Sequence, residues 1–192
     1  MRKFKTALFG TGFVGRVHLE GIRRLGYVQL YAIGEPQIEK ANQLAAEFGA
    51  ERTEADYRRI LEDPAVDAVH ICTPNALHFP IAKDALQAGK HVICEKPLAT
   101  SVAQAQELVK LAAETKRRNC TFHNLRFYAM VQHMRRMVED GDLGDIMVVR
   151  ALILRTGCST IPIGTGAWTA NSTALRAASP TSARTGATWR SM

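Results

Sequence analysis

The chain has few cysteines, and their spacing excludes the common metal-binding motifs. Cys72, Cys94, Cys120 and Cys158 form no C-x-x-C pair and no zinc-finger spacing. No apolar run approaches the length of a membrane span, and the basic start M-R-K-F-K lacks the apolar segment of a signal peptide. We therefore expect a cytoplasmic protein with free thiols, no metal ligands and no membrane association.

Acidic residues and lysines are missing from one part of the chain. Residues 155–192 contain four arginines, no lysine and no acid, so subtracting them from the net charge of +7 leaves +3 for the rest. A nucleic-acid site needs basic residues clustered on a folded face and would bind with strong salt dependence. These arginines are scattered, and we expect no nucleic-acid partner.

The most informative pattern that is present lies in residues 5–25. A short apolar run at 7–9 leads into G-T-G-F-V-G, and a helical face follows at Val14, His18, Ile22 and Leu25. Gly10 permits a tight turn, Gly12 lets the backbone approach a pyrophosphate, and Gly15 lets the helix pack against the strand. The helix N-terminus then faces the phosphates. The alternative is a glycine-rich turn that holds no ligand.

An acidic residue follows this motif at the distance that a dinucleotide site requires. Glu35 ends the next strand-like run, about 20 residues beyond the glycines, where a carboxylate can bind the adenosine ribose hydroxyls. The same carboxylate would repel a 2′-phosphate, so it favours NAD over NADP. The alternative is an acid at a helix start, beside Pro36 in the first helical position.

Strands and helices alternate through the next hundred residues. The patterns predict helices at 41–48, 56–62 and 81–86, a helix capped by Ser101, and strands at 66–72, 91–94 and 120–125. This alternation predicts an α/β fold with a Rossmann-type, doubly wound parallel sheet. Ligands bind such sheets at the carboxyl ends of the strands, where residues 10–15, Glu35, 73–78 and 95–97 all fall.

The loops at that edge contain candidate site residues, and some indicate a ligand site more specifically than others. Pro74 fixes a turn, and Asn75 can bond a ribose or the local backbone. His78 can be a ligand or a helix-start residue bonded locally. Lys96, between an acid and a proline, can orient a substrate hydroxyl or polarise a carbonyl. The alternative for Lys96 is a solvated lysine paired with Glu95.

Four motifs together resemble the Gfo/Idh/MocA oxidoreductases over residues 4 to about 155. They are G-T-G-F-V-G, C-T-P-N-A-L-H, G-K-H-V-I-C-E-K-P-L-A and H-N-L-R-F-Y. The resemblance implies an NAD(P)-binding Rossmann domain, a second α/β domain for substrate and oligomer contacts, and hydride transfer at a secondary alcohol of a sugar, cyclitol or related compound. It also implies that Lys96 is catalytic and that Arg126 lies near the active site. The predicted cofactor-binding residues are Gly10, Thr11, Gly12, Phe13, Val14, Gly15, Glu35, Thr73, Pro74, Asn75, His78, Glu95, Lys96, Pro97 and Arg126.

The chain departs from this family after residue 154. We expect a Rossmann domain at 1–121, the start of the C-terminal domain at 122–154, and an out-of-frame, disordered tail at 155–192. The start contains a helix at 127–140, with Met130, Met134, Met137 and Val138 inward, and a strand at 146–154. The family continues with Q-D-W and with D-I-G-x-H, which carries catalytic Asp and His; this chain has neither. We expect a truncated, inactive product whose full-length relatives are homo-oligomers.

A single lost base would explain the tail. If codon 155 was CAG and lost its A, Q-D-W-L-L becomes the observed R-T-G-C-S that begins at Arg155. Restoring the frame, with permitted third bases, yields D-I-G-S-H further on. The alternatives are a genuinely divergent or disordered tail and, for function, a non-catalytic module that senses NAD(P)H or binds a partner.

Nucleotide sequencing across codons 150–192 and beyond tests this explanation. We expect one inserted base to restore an open frame that encodes D-I-G-S-H and a further sheet domain. A restored frame that soon meets stop codons, or that encodes nothing resembling the family, would make the tail genuine.

Overall fold

A computed structural model describes residues 3–150 of the chain. The strands are β1 (Phe4–Phe9), β2 (Val28–Gly34), β3 (Arg52–Glu54), β4 (Ala68–Ile71), β5 (His91–Glu95) and β6 (Asn119–Phe122). The α-helices are α1 (Phe13–Leu25), α2 (Ile38–Phe48), α3 (Tyr57–Leu61), α4 (His78–Gln87), α5 (Val102–Thr115) and α6 (Ala129–Glu139). Two 3₁₀ turns lie at Asn75–Leu77 and Asn124–Phe127.

The six strands form one parallel sheet in the order β3-β2-β1-β4-β5-β6. The chain winds outward from β1 in one direction and then, from β4, in the other. The direction therefore reverses between β1 and β4, where doubly wound sheets bind ligands. The predicted Rossmann-type fold is confirmed. The sequence did not predict β3, because this edge strand has only three residues and all are half-buried and polar.

The core lies on both faces of the sheet. Leu8 and Phe9 are consecutive and fully buried, yet they belong to different clusters because strand side chains alternate between faces. Leu8 packs with Leu19 and Ile22 of α1, whereas Phe9 packs with the cluster that contains α4. Helices on both faces explain why three consecutive residues of β1, Ala7, Leu8 and Phe9, are all buried.

The predicted helix starts and faces need small corrections. The face of α1 is narrower than predicted, because Leu25 is 47% exposed and Val14 is only half-buried. Helix α2 begins at Ile38, so Pro36 precedes the helix instead of opening it. The Ser101 cap is confirmed, since its hydroxyl accepts a hydrogen bond from the Gln104 N–H at 3.3 Å.

The segment after the sheet differs from the prediction. Met130 and Met134 of α6 are 66% and 59% exposed, and Val138 is exposed too, so these three side chains do not point inward as predicted. Met137 is half-buried. Residues 146–150 form no strand, since no described strand lies beside them to pair with. Residues 3–144 belong to one compact unit and 145–150 to a second. The rest of the predicted strand, 151–154, and the tail at 155–192 lie outside the described residues.

Two glycines of α1 provide a matched test of the packing at its first turn. A Cβ on Gly15 would lie 2.3 Å from the Gly10 carbonyl oxygen, whereas a Cβ on Gly21 would meet nothing within 4 Å. We expect Gly15→Ala to lower the free energy of unfolding by about 2 kcal/mol through overpacking. Gly21→Ala should raise it by up to about 1 kcal/mol through helix propensity. Denaturant unfolding measures both, and equal effects would contradict the close approach.

Candidate active site

The three glycines of the first turn have different roles in the fold. Gly10 has a φ of +89°, and a Cβ there would lie 2.6 Å from the Cys72 carbonyl oxygen at the end of β4. Gly15 is required by its contact with the Gly10 backbone. A Cβ on Gly12, however, would meet no atom within 4 Å. Gly12, the N-cap of α1, therefore faces open space at a helix N-terminus, where an anion can bind.

Glu35 connects the end of β2 to this glycine turn. Its Oε2 accepts hydrogen bonds from the Thr11 N–H at 3.1 Å and from the Thr11 hydroxyl at 2.8 Å. Its Oε1 accepts from the Gln37 N–H at 3.3 Å. The carboxylate thus lies beside the turn, three residues before α2 begins. Its helix-start contact to Gln37 and its contact to the turn coexist.

The loop after β4 borders a cleft of about 270 Å³. The Thr73 hydroxyl oxygen is buried and has no hydrogen-bond partner within the described part of the chain. Pro74 and Asn75 are exposed at the start of the 3₁₀ turn. Residues that line the cleft include Phe9, Gly34, Pro36, Tyr57, Thr73 and Leu77. A buried hydroxyl without a partner is costly, and a ligand in this cleft could supply one.

His78 lies inside the protein, with 1% of its surface exposed. Its Nδ1 lies 2.6 Å from the Pro97 carbonyl oxygen and its Nε2 lies 2.8 Å from the Thr73 carbonyl oxygen. The ring thus links the loop after β4 to the turn after β5. The contact with Thr73 is local, as the alternative for His78 expects, whereas Pro97 belongs to a different loop. The predicted cofactor contact of His78 stays a prediction.

Lys96 is exposed at the end of β5, and its ammonium has no hydrogen bond or ion pair with any residue in 3–150. It lines a cavity of about 360 Å³ together with Arg126. His123, Asn124 and Leu125 complete the lining. Sequence reasoning did not single out His123 or Asn124, although both belong to the H-N-L-R motif. Two cations beside an imidazole and an amide suit a ligand rich in oxygen atoms.

The alternative for Lys96 required an ion pair between its ammonium and Glu95, and the structure shows no such pair within residues 3–150. The Glu95 Oε1 instead lies 3.2 Å from the Nε2 of His18, and both side chains are buried. The His18 Nδ1 lies 2.9 Å from the Nδ1 of His70 on β4. Burial lowers the pKa of His70 to about 3. The sequence placed His18 on a buried helix face, but it did not reveal these partners.

The two cysteines that precede the site loops are unreactive. Cys72 immediately precedes Thr73, and Cys94 immediately precedes Glu95. Burial, followed by the charge of Glu95, raises the pKa of both thiols to about 12. Both remain protonated at neutral pH, so neither supplies a thiolate here. Within residues 3–150, no group of three or more His, Cys, Asp or Glu side chains could hold a metal ion, and no helix is long and apolar enough to cross a membrane.

Comparison with known families identifies the fold and the chemistry associated with it. Residues 4–123 match the Gfo/Idh/MocA model, described as an oxidoreductase family with an NAD-binding Rossmann fold. The chain belongs to this family. Membership confirms the resemblance inferred from the four motifs. The glycine turn therefore belongs to a fold that the family description calls NAD-binding.

Several relatives illustrate the breadth of the family. The chain is 30% identical to myo-inositol 2-dehydrogenase of Thermotoga maritima, over 76% of this chain and 44% of that protein. It is 31% identical to levoglucosan dehydrogenase of Pseudarthrobacter phenanthrenivorans, over 81% of this chain and 42% of the relative. An NAD-binding oxidoreductase structure from Klebsiella pneumoniae superposes with a TM-score of 0.70 at 34% identity, covering 74% of this chain and 40% of that one. The chain thus spans about two fifths of the length of these relatives.

Thiol labelling tests the burial that surrounds the site. Cys120 is exposed, whereas Cys94 is buried with a pKa of about 12. At pH 8 we expect a disulfide reagent to modify Cys120 at least about a hundredfold faster than Cys94. Peptide mass mapping over time measures both rates, and labelling in denaturant is the control. Comparable rates in the native protein would contradict the burial of β5.

Proposed function

We propose that this chain is the cofactor-binding part of an NAD-dependent dehydrogenase that acts on a secondary alcohol of a sugar, cyclitol or related compound. The observation that carries the proposal is the turn between β1 and α1. Its backbone packs tightly against the end of β4 at Gly10, whereas the space around Gly12 is empty. The Glu35 carboxylate lies beside the turn and accepts a hydrogen bond from the Thr11 N–H. This arrangement suits a pyrophosphate at the helix start with a ribose beside the carboxylate.

The described residues fit a dinucleotide. The open position at Gly12 leaves room for phosphate oxygens, and the partnerless Thr73 hydroxyl borders a cleft on the side of β2. Residues 10–15, Glu35 and the 73–75 loop would hold the cofactor, while Glu95, Pro97 and Arg126 lie around Lys96. A bound nicotinamide accepts or releases the hydride.

Lys96 is the residue of this chain that we propose to act on substrate. Its free ammonium lines a cavity together with Arg126 and two further polar residues. An ammonium group in this position donates hydrogen bonds to a substrate hydroxyl or carbonyl oxygen and stabilises negative charge that develops there. Two relatives named for inositol and levoglucosan support a polyhydroxylated substrate.

We further propose that the 192-residue chain binds cofactor without turnover. The base expected from the family motif D-I-G-x-H is missing from the sequence, and the proposed frameshift at codon 155 would account for its loss. The full-length enzyme would be cytoplasmic and homo-oligomeric. A non-catalytic module that senses NAD(P)H is the second candidate. Restoring the frame separates the two, because only a dehydrogenase would then oxidise polyols or sugars.

Glu35 provides a test of cofactor preference. We expect the chain to bind NADH at least about tenfold more tightly than NADPH, because a carboxylate beside a 2′-phosphate is repelled. Glu35→Ser should weaken NADH binding and reduce the preference to about threefold or less. Titration of nicotinamide fluorescence measures all four affinities. Equal affinity of the original chain for NADH and NADPH would contradict this role of Glu35.

Gly12 provides a test of the phosphate site. The space around Gly12 predicts that Gly12→Val folds but weakens NADH binding by about a hundredfold, since its side chain occupies the phosphate position. Gly21→Ala, on the same helix but away from the turn, is the control and should bind like the original chain. Circular dichroism verifies the fold, and unchanged binding by a folded Gly12→Val protein would refute the proposed site.

A further inference from the structure

We propose that His18 is a positioning residue: it donates a hydrogen bond to Glu95, which holds the backbone of Lys96, while His70 fixes the tautomer of His18. The consequence for cofactor binding rests on the proposed function, whereas the hydrogen-bond chain does not. The three side chains come from α1, β5 and β4, and the family motifs quoted above include only Glu95.

His18 is a polar residue in a buried, mostly apolar position, so its ring nitrogens need hydrogen-bond partners. It is 5% exposed, on a helix face otherwise formed by Leu19 and Ile22. A buried imidazole on an apolar face is costly unless both ring nitrogens have partners. Both do, since Nε2 faces the Glu95 carboxylate at 3.2 Å and Nδ1 faces the His70 Nδ1 at 2.9 Å.

The chemistry of the end group sets the direction of the bond between His18 and Glu95. Carboxylate oxygens only accept hydrogen bonds, so the His18 Nε2 carries a proton and donates it. In the proposed arrangement the His18 Nδ1 carries no proton and accepts from the His70 Nδ1–H. The rings of His18 and His70 are nearly perpendicular, with an interplanar angle of 83°. The chain therefore runs from His70 through His18 to Glu95.

The second carboxylate oxygen connects this buried chain to the site. The Glu95 Oε2 accepts a hydrogen bond from the Lys96 N–H at 3.1 Å. A carboxylate anchored at Oε1 has a defined rotamer, so Oε2 holds the backbone amide of the residue that carries the free ammonium. His18 thereby influences Lys96 without touching the cavity.

His18 also contacts a third part of the carboxyl edge. Its ring centroid lies 4.5 Å from that of Phe122, the last residue of β6. Phe122 immediately precedes His123 and Asn124, which line the cavity with Lys96. The His18 side chain on α1 therefore contacts the ends of both β5 and β6. A displacement of α1 would reach both sides of the proposed substrate cavity.

Nitrogen NMR of the imidazole rings tests the hydrogen-bond chain in the full-length 192-residue protein. We expect the His18 Nε2 to carry a proton at pH 7, with its assignment confirmed by the signals lost in His18→Gln. The His70 signal should be that of a neutral ring with its proton on Nδ1. A His18 ring whose Nε2 lacks a proton would overturn the proposal, because Glu95 would then have no donor.

Two variants of His18 show whether its hydrogen bond to Glu95 matters or only the volume of its side chain. In His18→Gln the side-chain amide can still donate to Glu95, whereas His18→Leu fills the volume without a donor. We expect the amide proton of Lys96 to exchange with solvent at least about tenfold faster in His18→Leu than in the original chain, and within about threefold in His18→Gln. Equal exchange in the two variants would overturn the positioning role.

A change at Glu95 provides an independent test if His18→Leu fails to fold. The amide of Glu95→Gln has one acceptor oxygen, so it can serve the His18 Nε2–H or the Lys96 N–H but not both. We expect either the His18 signal or the Lys96 amide exchange to change, and retention of both would contradict the shared carboxylate.

NADH binding tests whether the hydrogen bonds from His70 through His18 to Glu95 matter for the proposed function. We expect His18→Leu to weaken NADH binding by about tenfold and His18→Gln by no more than about threefold. If the original chain does not bind NADH, the proposed function fails. The tautomer and amide-exchange results would still decide the role of His18. If NADH binds equally to all three proteins, the connection between His18 and the cofactor site is refuted.

Discussion

The close approach of two backbones holds this site together. The turn at Gly10 lies so near the end of β4 that a single Cβ would collide with the Cys72 carbonyl. The pairing of β1 with β2 and β4 places Gly10, Glu35 and Thr73 along one edge of the sheet. The close approach then fixes the glycine turn against the end of β4.

The sequence predicted the parts of the molecule that repeat a strong local pattern. Apolar strands, the glycine turn and the Ser101 cap are local features, and the doubly wound sheet follows from their alternation. The strand at Arg52–Glu54 escaped prediction because its pairing with β2, and not its own composition, creates it. The partners of His18 escaped because His70 and Glu95 lie far from it in the chain and meet it only after the sheet forms.

Helix α6 shows a different limit of sequence reasoning. Its methionine spacing correctly indicates an amphipathic helix, but an apolar stripe does not reveal whether a partner is present. Within residues 3–150 the faces at Met130 and Met134 remain exposed, whereas the equivalent stripe of α1 is buried by β1 and β2. Exposed apolar surface of this kind promotes association or degradation.

The contact between Glu35 and Thr11 has an entropic consequence. A free glutamate at a surface loop samples many rotamers, and a ligand that binds it must first restrict that freedom. Here three hydrogen bonds already hold the carboxylate before any ligand arrives. The ordering cost is thus met during folding, so any ligand donor that reaches this carboxylate meets a preorganised acceptor. Thr11, between two glycines, donates two of the three hydrogen bonds on which this preorganisation depends.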